Sequence, residues 1–94
     1  MDKFFIGEEY LALENKRVAT LKYFLLEEAK IVEETGEMKN SYGIKVEKWI
    51  GKDLEEDIVS NVTTEKENAK SITLCLKENK VTPVHLKDII VDML

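Results

Sequence analysis

The chain reads as an α+β fold, an antiparallel sheet of three to five strands covered on one face by a C-terminal two-helix hairpin. Two observations carry that expectation. Apolar residues recur mostly with a period of two from Phe4 to Ile50, as in strands whose side chains alternate between faces. Beyond Thr64 the period lengthens to that of a helix, and capping signals appear at two places. With 94 residues there is chain for one modest core, so residues 1–94 are expected to form a single domain.

Arg17 to Leu26 sets Ala19, Leu21, Tyr23 and Leu25 against Val18, Thr20, Lys22, Phe24 and Leu26, which suits a strand with both faces at least partly covered. In Ser41 to Ile50, Tyr42, Ile44, Val46 and Ile50 point one way while Lys45, Glu47 and Trp49 point the other. Ile58, Val59 and Val62 mark one more short strand, bounded before it by Gly51 to Asp57. Asn15-Lys16 is a hairpin turn, and Thr35-Gly36 with Asn40-Ser41 brackets a longer one. Glu8 to Glu34 also has residues of high helix propensity; strands are preferred because Leu13, Tyr23, Phe24 and Ile31 would fall off the helical face.

Thr64-Glu65-Lys66-Glu67 has the form of a capping box, predicting a helix from Glu65 that buries Ala69, Ile72, Cys75 and Leu76 and stops at Asn79-Lys80. Thr82-Pro83 predicts a second helix with Thr82 as cap and Pro83 in the first turn, burying Leu86, Ile89, Ile90 and Met93. Neither helix is long enough to stand alone in water, so both need the sheet.

The formal net charge is −5, from 14 basic and 19 acidic residues. That balance disfavours direct nucleic-acid binding, which draws its affinity from Lys and Arg on phosphates, and it favours a basic partner surface. A single cysteine, too short an apolar run near Met1 for a leader, and no stretch of about 18 apolar residues predict a soluble, cytoplasmic protein without membrane attachment.

Lys22-Tyr23-Phe24-Leu25-Leu26-Glu27, Tyr42-Gly43-Ile44 and the run Val81 to Ile90 with its Thr-Pro-x-His-Leu-x-Asp core resemble a family of small uncharacterised clostridial proteins, a domain of unknown function. The resemblance runs from about Lys22 to Leu94. It implies a sheet followed by two helices, and no activity, cofactor or catalytic residue.

Candidate chemistry is sparse. His85, Asp88 and Asp92 at three- and four-residue spacing have the residue types of a divalent-metal site, but there is no second histidine. The simpler reading is an ion pair across one turn with a solvated carboxylate beside it. Cys75 is expected in the core, not as a thiol nucleophile. Gly7, Gly36, Gly43 and Gly51 are each isolated, so no phosphate loop can be drawn. Trp49, Leu74, Val84 and Val91 point away from the expected core stripes and are the candidate interaction surface. The expected function is therefore a non-enzymatic, cofactor-free protein interaction module that docks to another protein or to a second copy of itself. The alternatives are a small acidic inhibitor of mobile-element or phage type against a host nucleic-acid enzyme, and a metal-binding protein.

Overall fold

The computed structural model describes residues 1–94 and has the expected α+β class. Four strands, β1 (Asp2–Ala12), β2 (Val18–Ile31), β3 (Met38–Ile50) and β4 (Asp53–Thr63), form one antiparallel sheet in that order. A helix α1 (Lys66–Glu78), a 3-10 turn (Pro83–His85) and a helix α2 (Leu86–Met93) follow. The strands are longer than the sequence pattern predicts, and Glu8 to Ile31 is strand on both sides of one turn, with Val32 to Glu34 leading into the next. No helix is long and apolar enough to cross a membrane.

Each hairpin turn has its own local cause. At Glu14-Asn15-Lys16, Leu13 N–H reaches the Arg17 carbonyl at 2.9 Å, and Lys16 takes the left-handed conformation with φ 63° that closes a three-residue loop. Gly36, at φ 70°, closes the second turn, but Asn40-Ser41 lies inside β3 because the β2–β3 ladder continues out to Ile31 opposite Met38. The third turn is only Gly51-Lys52. Gly51 at φ 60° supplies the first position of a two-residue turn, so β4 begins at Asp53 rather than near Ile58.

Both edge strands are irregular. The β1 register shifts between Phe5 and Gly7, and the β3–β4 register shifts opposite Gly43, where Asn61 has φ 56°. A Cβ on Gly43 would sit 2.6 Å from the Val59 carbonyl oxygen, so this crossing needs glycine.

The helices pack on one face of the sheet, α1 touching all four strands and α2 lying along β4. Leu21, Tyr23, Ile44, Val46 and Val62 of the sheet meet Ile72, Leu76, Val81, Leu86 and Ile90. The predicted capping box does not form. Glu65 is the N-cap without a side-chain bond, and Thr63 Oγ1 instead accepts the Glu65 N–H at 3.1 Å. The buried stripe centres on Ala69 and Leu76, so Thr73, one turn from each, is buried with its hydroxyl on the Ala69 carbonyl at 2.8 Å, while Cys75, on the far side of Ile72, is exposed.

Lys80, not Asn79, takes the left-handed position at φ 51°. Val81 N–H bonds the Leu76 carbonyl and Lys80 N–H the Lys77 carbonyl, the paired closure that lets Val81 pack on Leu76. Pro83 opens a 3-10 turn rather than an α-helix, and Thr82 makes no side-chain cap. Within α2 only Leu86 and Ile90 are fully buried; Ile89 is half-buried and Met93 exposed. At the far end of the sheet, β2 and β3 run on as a two-stranded arm in which every residue from Ala29 to Asn40 except Val32 is exposed.

Candidate functional site

Side chains alternate across a strand, so the sheet that buries one face under helices turns its other face outward. Register fixes what that face carries. Tyr10, Thr20, Trp49 and Leu54 lie side by side from β1 to β4, and the next row is Glu8, Lys22, Glu47 and Glu56. Phe5, Phe24, Lys45 and Ile58 form the third row, followed by Lys3, Leu26 and Gly43. Phe5 and Tyr10 are each 57% exposed, and Leu54 and Ile58 are exposed as well.

Phe24 is the exception, with only 8% of its surface exposed although no helix covers it. Lys3 Nζ lies 4.5 Å and Lys45 Nζ 6.0 Å from its ring centroid, and Phe5 meets it edge-on at 5.6 Å. Lysine stems thus roof the ring while their ammonium groups stay on its electron-rich face.

Glu47 is also nearly buried. Trp49 Nε1–H donates to one carboxylate oxygen at 3.1 Å, and Lys45 Nζ holds the other at 3.1 Å while also reaching Glu56 at 3.1 Å. Burial pushes the Glu47 carboxyl upward, but the Trp49 and Lys45 hydrogen bonds and the Lys45 and Lys3 charges outweigh it, and its pKa ends below the ordinary carboxylate value. For Lys45, burial pulls downward and the two glutamates prevail, leaving its pKa raised. Both groups are held in their charged forms. Beside them Glu8, Tyr10, Thr20, Lys22, Trp49 and Gly51 line a shallow open depression.

On the helical side, Lys77 lies across Gly7, whose missing Cβ leaves room for the lysine stem, and bonds Glu9 at 2.8 Å. That bond, with the Lys77 charge, holds the Glu9 carboxyl below its ordinary value.

The sequence profile of a family of unknown function (DUF6514) matches residues 2–94. The chain belongs to this family. The match reaches back past Lys22 to take in β1, and with it the outward row positions Lys3, Phe5, Glu8 and Tyr10 of the DUF6514 sheet. No curated protein and no solved structure matches the chain.

The four interaction candidates do not form one patch in this DUF6514 chain. Trp49 belongs to the outward sheet face, whereas Leu74, Val84 and Val91 are exposed on the helical layer, across the sheet from it. Val84 sits beside Glu55, Glu56 and Asp57. His85, Asp88 and Asp92 are all exposed, and the 3-10 turn takes His85 out of helical phase with the two aspartates. No three His, Cys, Asp or Glu side chains converge to hold a metal. Tyr10, Phe24, Lys45, Leu54 and Ile58 were not among the expected contact residues. For Leu54 and Ile58 the signal is the length of β4, hidden until Gly51-Lys52 is known to be a two-residue turn.

Proposed function

We propose that this chain is a non-enzymatic protein–protein interaction module that docks through the outward face of its sheet. The observation that carries the reading is the ladder itself. Aromatic and aliphatic rows flank one row of charges on a face with no layer over it, where a sheet meeting only water would present mainly polar side chains. Trp49 is rigidly placed by its bond to Glu47, as an anchor residue needs to be.

The same face offers little for catalysis. A carboxylate held below its ordinary range is a poor proton acceptor at neutral pH, and an ammonium held above its own is a poor nucleophile. The inhibitor reading draws less support, because Glu55, Glu56 and Asp57 already lie near Lys48, Lys45 and Lys87. One free, exposed cysteine suits a reducing, cytoplasmic setting.

A photo-crosslinking residue placed at Tyr10 or Leu54 in the native cell tests the reading. Protein adducts from both positions, and none from Val91 on the helical layer, are expected. Adducts absent from the sheet face, or equally abundant from Val91, would overturn it.

A further inference from the structure

We infer that the outward face docks onto the same face of a second copy of this chain, about a twofold axis along the strands, setting Lys22 opposite Glu47 of the partner subunit. The inference rests on the docking reading above and names its occupant. It follows from charge, from geometry and from area.

The face is close to electrical balance. Its rows carry Lys3, Lys22 and Lys45 against Glu8, Glu28, Glu47 and Glu56, so most of the chain's charge of −5 lies elsewhere. A twofold interface must complement itself, whereas a surface built for a basic partner would show surplus carboxylate. Two copies of an acidic protein meet with less repulsion on such a nearly neutral patch than elsewhere on their surfaces.

A twofold along the strands reverses strand order and keeps each row against itself. Tyr10 then meets Leu54 of the partner subunit, Phe5 meets Ile58 of the partner subunit, and Phe24 faces Lys45 of the partner subunit. Apolar rows cover apolar rows, in the aligned arrangement that packed sheets favour. Lys22 suits its assigned role because it has no carboxylate within 4.0 Å in its own chain. In the same row Glu8 faces Glu56 of the partner subunit, a like-charge pair that is left at the solvated rim, where water and salt screen it.

Four strands at about 4.8 Å spacing, over the eleven β2 residues from Val18 to Glu28, present a rectangle of roughly 35 by 19 Å. That is roughly 650 Å² per copy before side-chain relief is added, close to the ~800 Å² per partner of a standard stable interface. Association through the sheet edges is hindered by the shifts in β1 and β4 and by Asp53, Glu55, Glu56 and Asp57 along β4.

Sedimentation equilibrium of the purified chain tests the arrangement, with circular dichroism to confirm folding. The wild type should be a dimer. Lys22→Glu and Glu47→Lys should each weaken association at least about tenfold, the scale of a lost desolvated charge pair. An equimolar mixture of the two should recover it, which no folding defect can mimic. Leu54→Arg, which leaves the Lys45–Glu47–Trp49 network intact, should also give monomer, and Val91→Lys should remain dimeric. A monomeric wild type, a dimer indifferent to these face variants, or a mixture that fails to recover would overturn the inference. Monomer combined with crosslinks from Tyr10 to a foreign protein would leave the docking reading standing; monomer without crosslinks would remove both.

Discussion

Tyr23 in β2 donates its hydroxyl proton to the carbonyl oxygen of Val81, 2.9 Å away and 58 residues later in the chain. Both residues are buried, and the bond ties the middle of the sheet to the turn that reverses the helices. Tyr23→Phe leaves the Val81 carbonyl without this partner, so a loss of about 1–3 kcal/mol is expected, read as a lower urea midpoint at unchanged slope. Burial, with the Glu9 charge, pushes the Tyr23 phenol well above its ordinary value. A group raised on folding contributes stability that is complete below its unfolded value, about 10, and is lost as pH climbs beyond it. Wild-type stability should therefore fall above about pH 10, and more steeply than that of Tyr23→Phe.

Glu47 titrates with the opposite sign. Its folded value is depressed, so its contribution is present above the ordinary glutamate value of about 4.3 and lost as pH falls through the folded one. Glu47→Gln should cost about 1–3 kcal/mol at neutral pH and flatten the acid limb of the stability curve. Trp49 is the only tryptophan, so its fluorescence reports the site directly. Its emission should hold steady as pH falls through the ordinary glutamate value and change only below it.

Gly43 and Gly7 separate a rigid obstacle from a soft one. A Cβ at Gly43 meets backbone, the Val59 oxygen at 2.6 Å and the Ser60 Cα at 3.1 Å, so Gly43→Ala should cost about 1–3 kcal/mol. A Cβ at Gly7 meets the Lys77 stem at 2.5 Å, and that side chain can swing away. Gly7→Ala should be the milder change, because all it displaces is the surface pair of Lys77 with Glu9. Thermal melts of the two variants decide the ordering.

Leu86 and Val91 lie on opposite sides of α2. Leu86 is fully buried against the sheet and Val91 is 71% exposed. Leu86→Ala should cost about 2–5 kcal/mol, and Val91→Ala should stay within about 0.5 kcal/mol of wild type. Equal effects in denaturant titration would mean the helix is docked on the wrong face.

The core was legible in the sequence because period-two alternation puts Leu21, Tyr23, Ile44 and Val46 on one side of their strands wherever those strands end. What was not legible depended on single-residue decisions at the ends of elements. Thr63 rather than Thr64 receives the bond at the start of α1, so the capping box that Thr64 and Glu67 suggest does not form. Pro83 chooses a 3-10 turn, which disperses His85, Asp88 and Asp92. The candidate site was half visible: Trp49 could be seen to point away from its strand's apolar side. Its row neighbours could not be named, because which residue stands beside which is a property of turn length, and Gly51-Lys52 is as short as a turn can be while reading like the start of a loop.

The arm from Ala29 to Asn40 stands clear of both helices, so its pairing is backed by little buried side-chain surface. Lys30 even stands directly opposite Lys39, a like-charge neighbour that weakens the ladder there. Opening should therefore begin at this tip and stop where Leu25 and Tyr42 seat against Ala69. A protease nick or an inserted tag between Glu33 and Gly36 would leave the body of the molecule whole, which makes this projection the natural handle for immobilising the protein with its outward sheet face unobstructed.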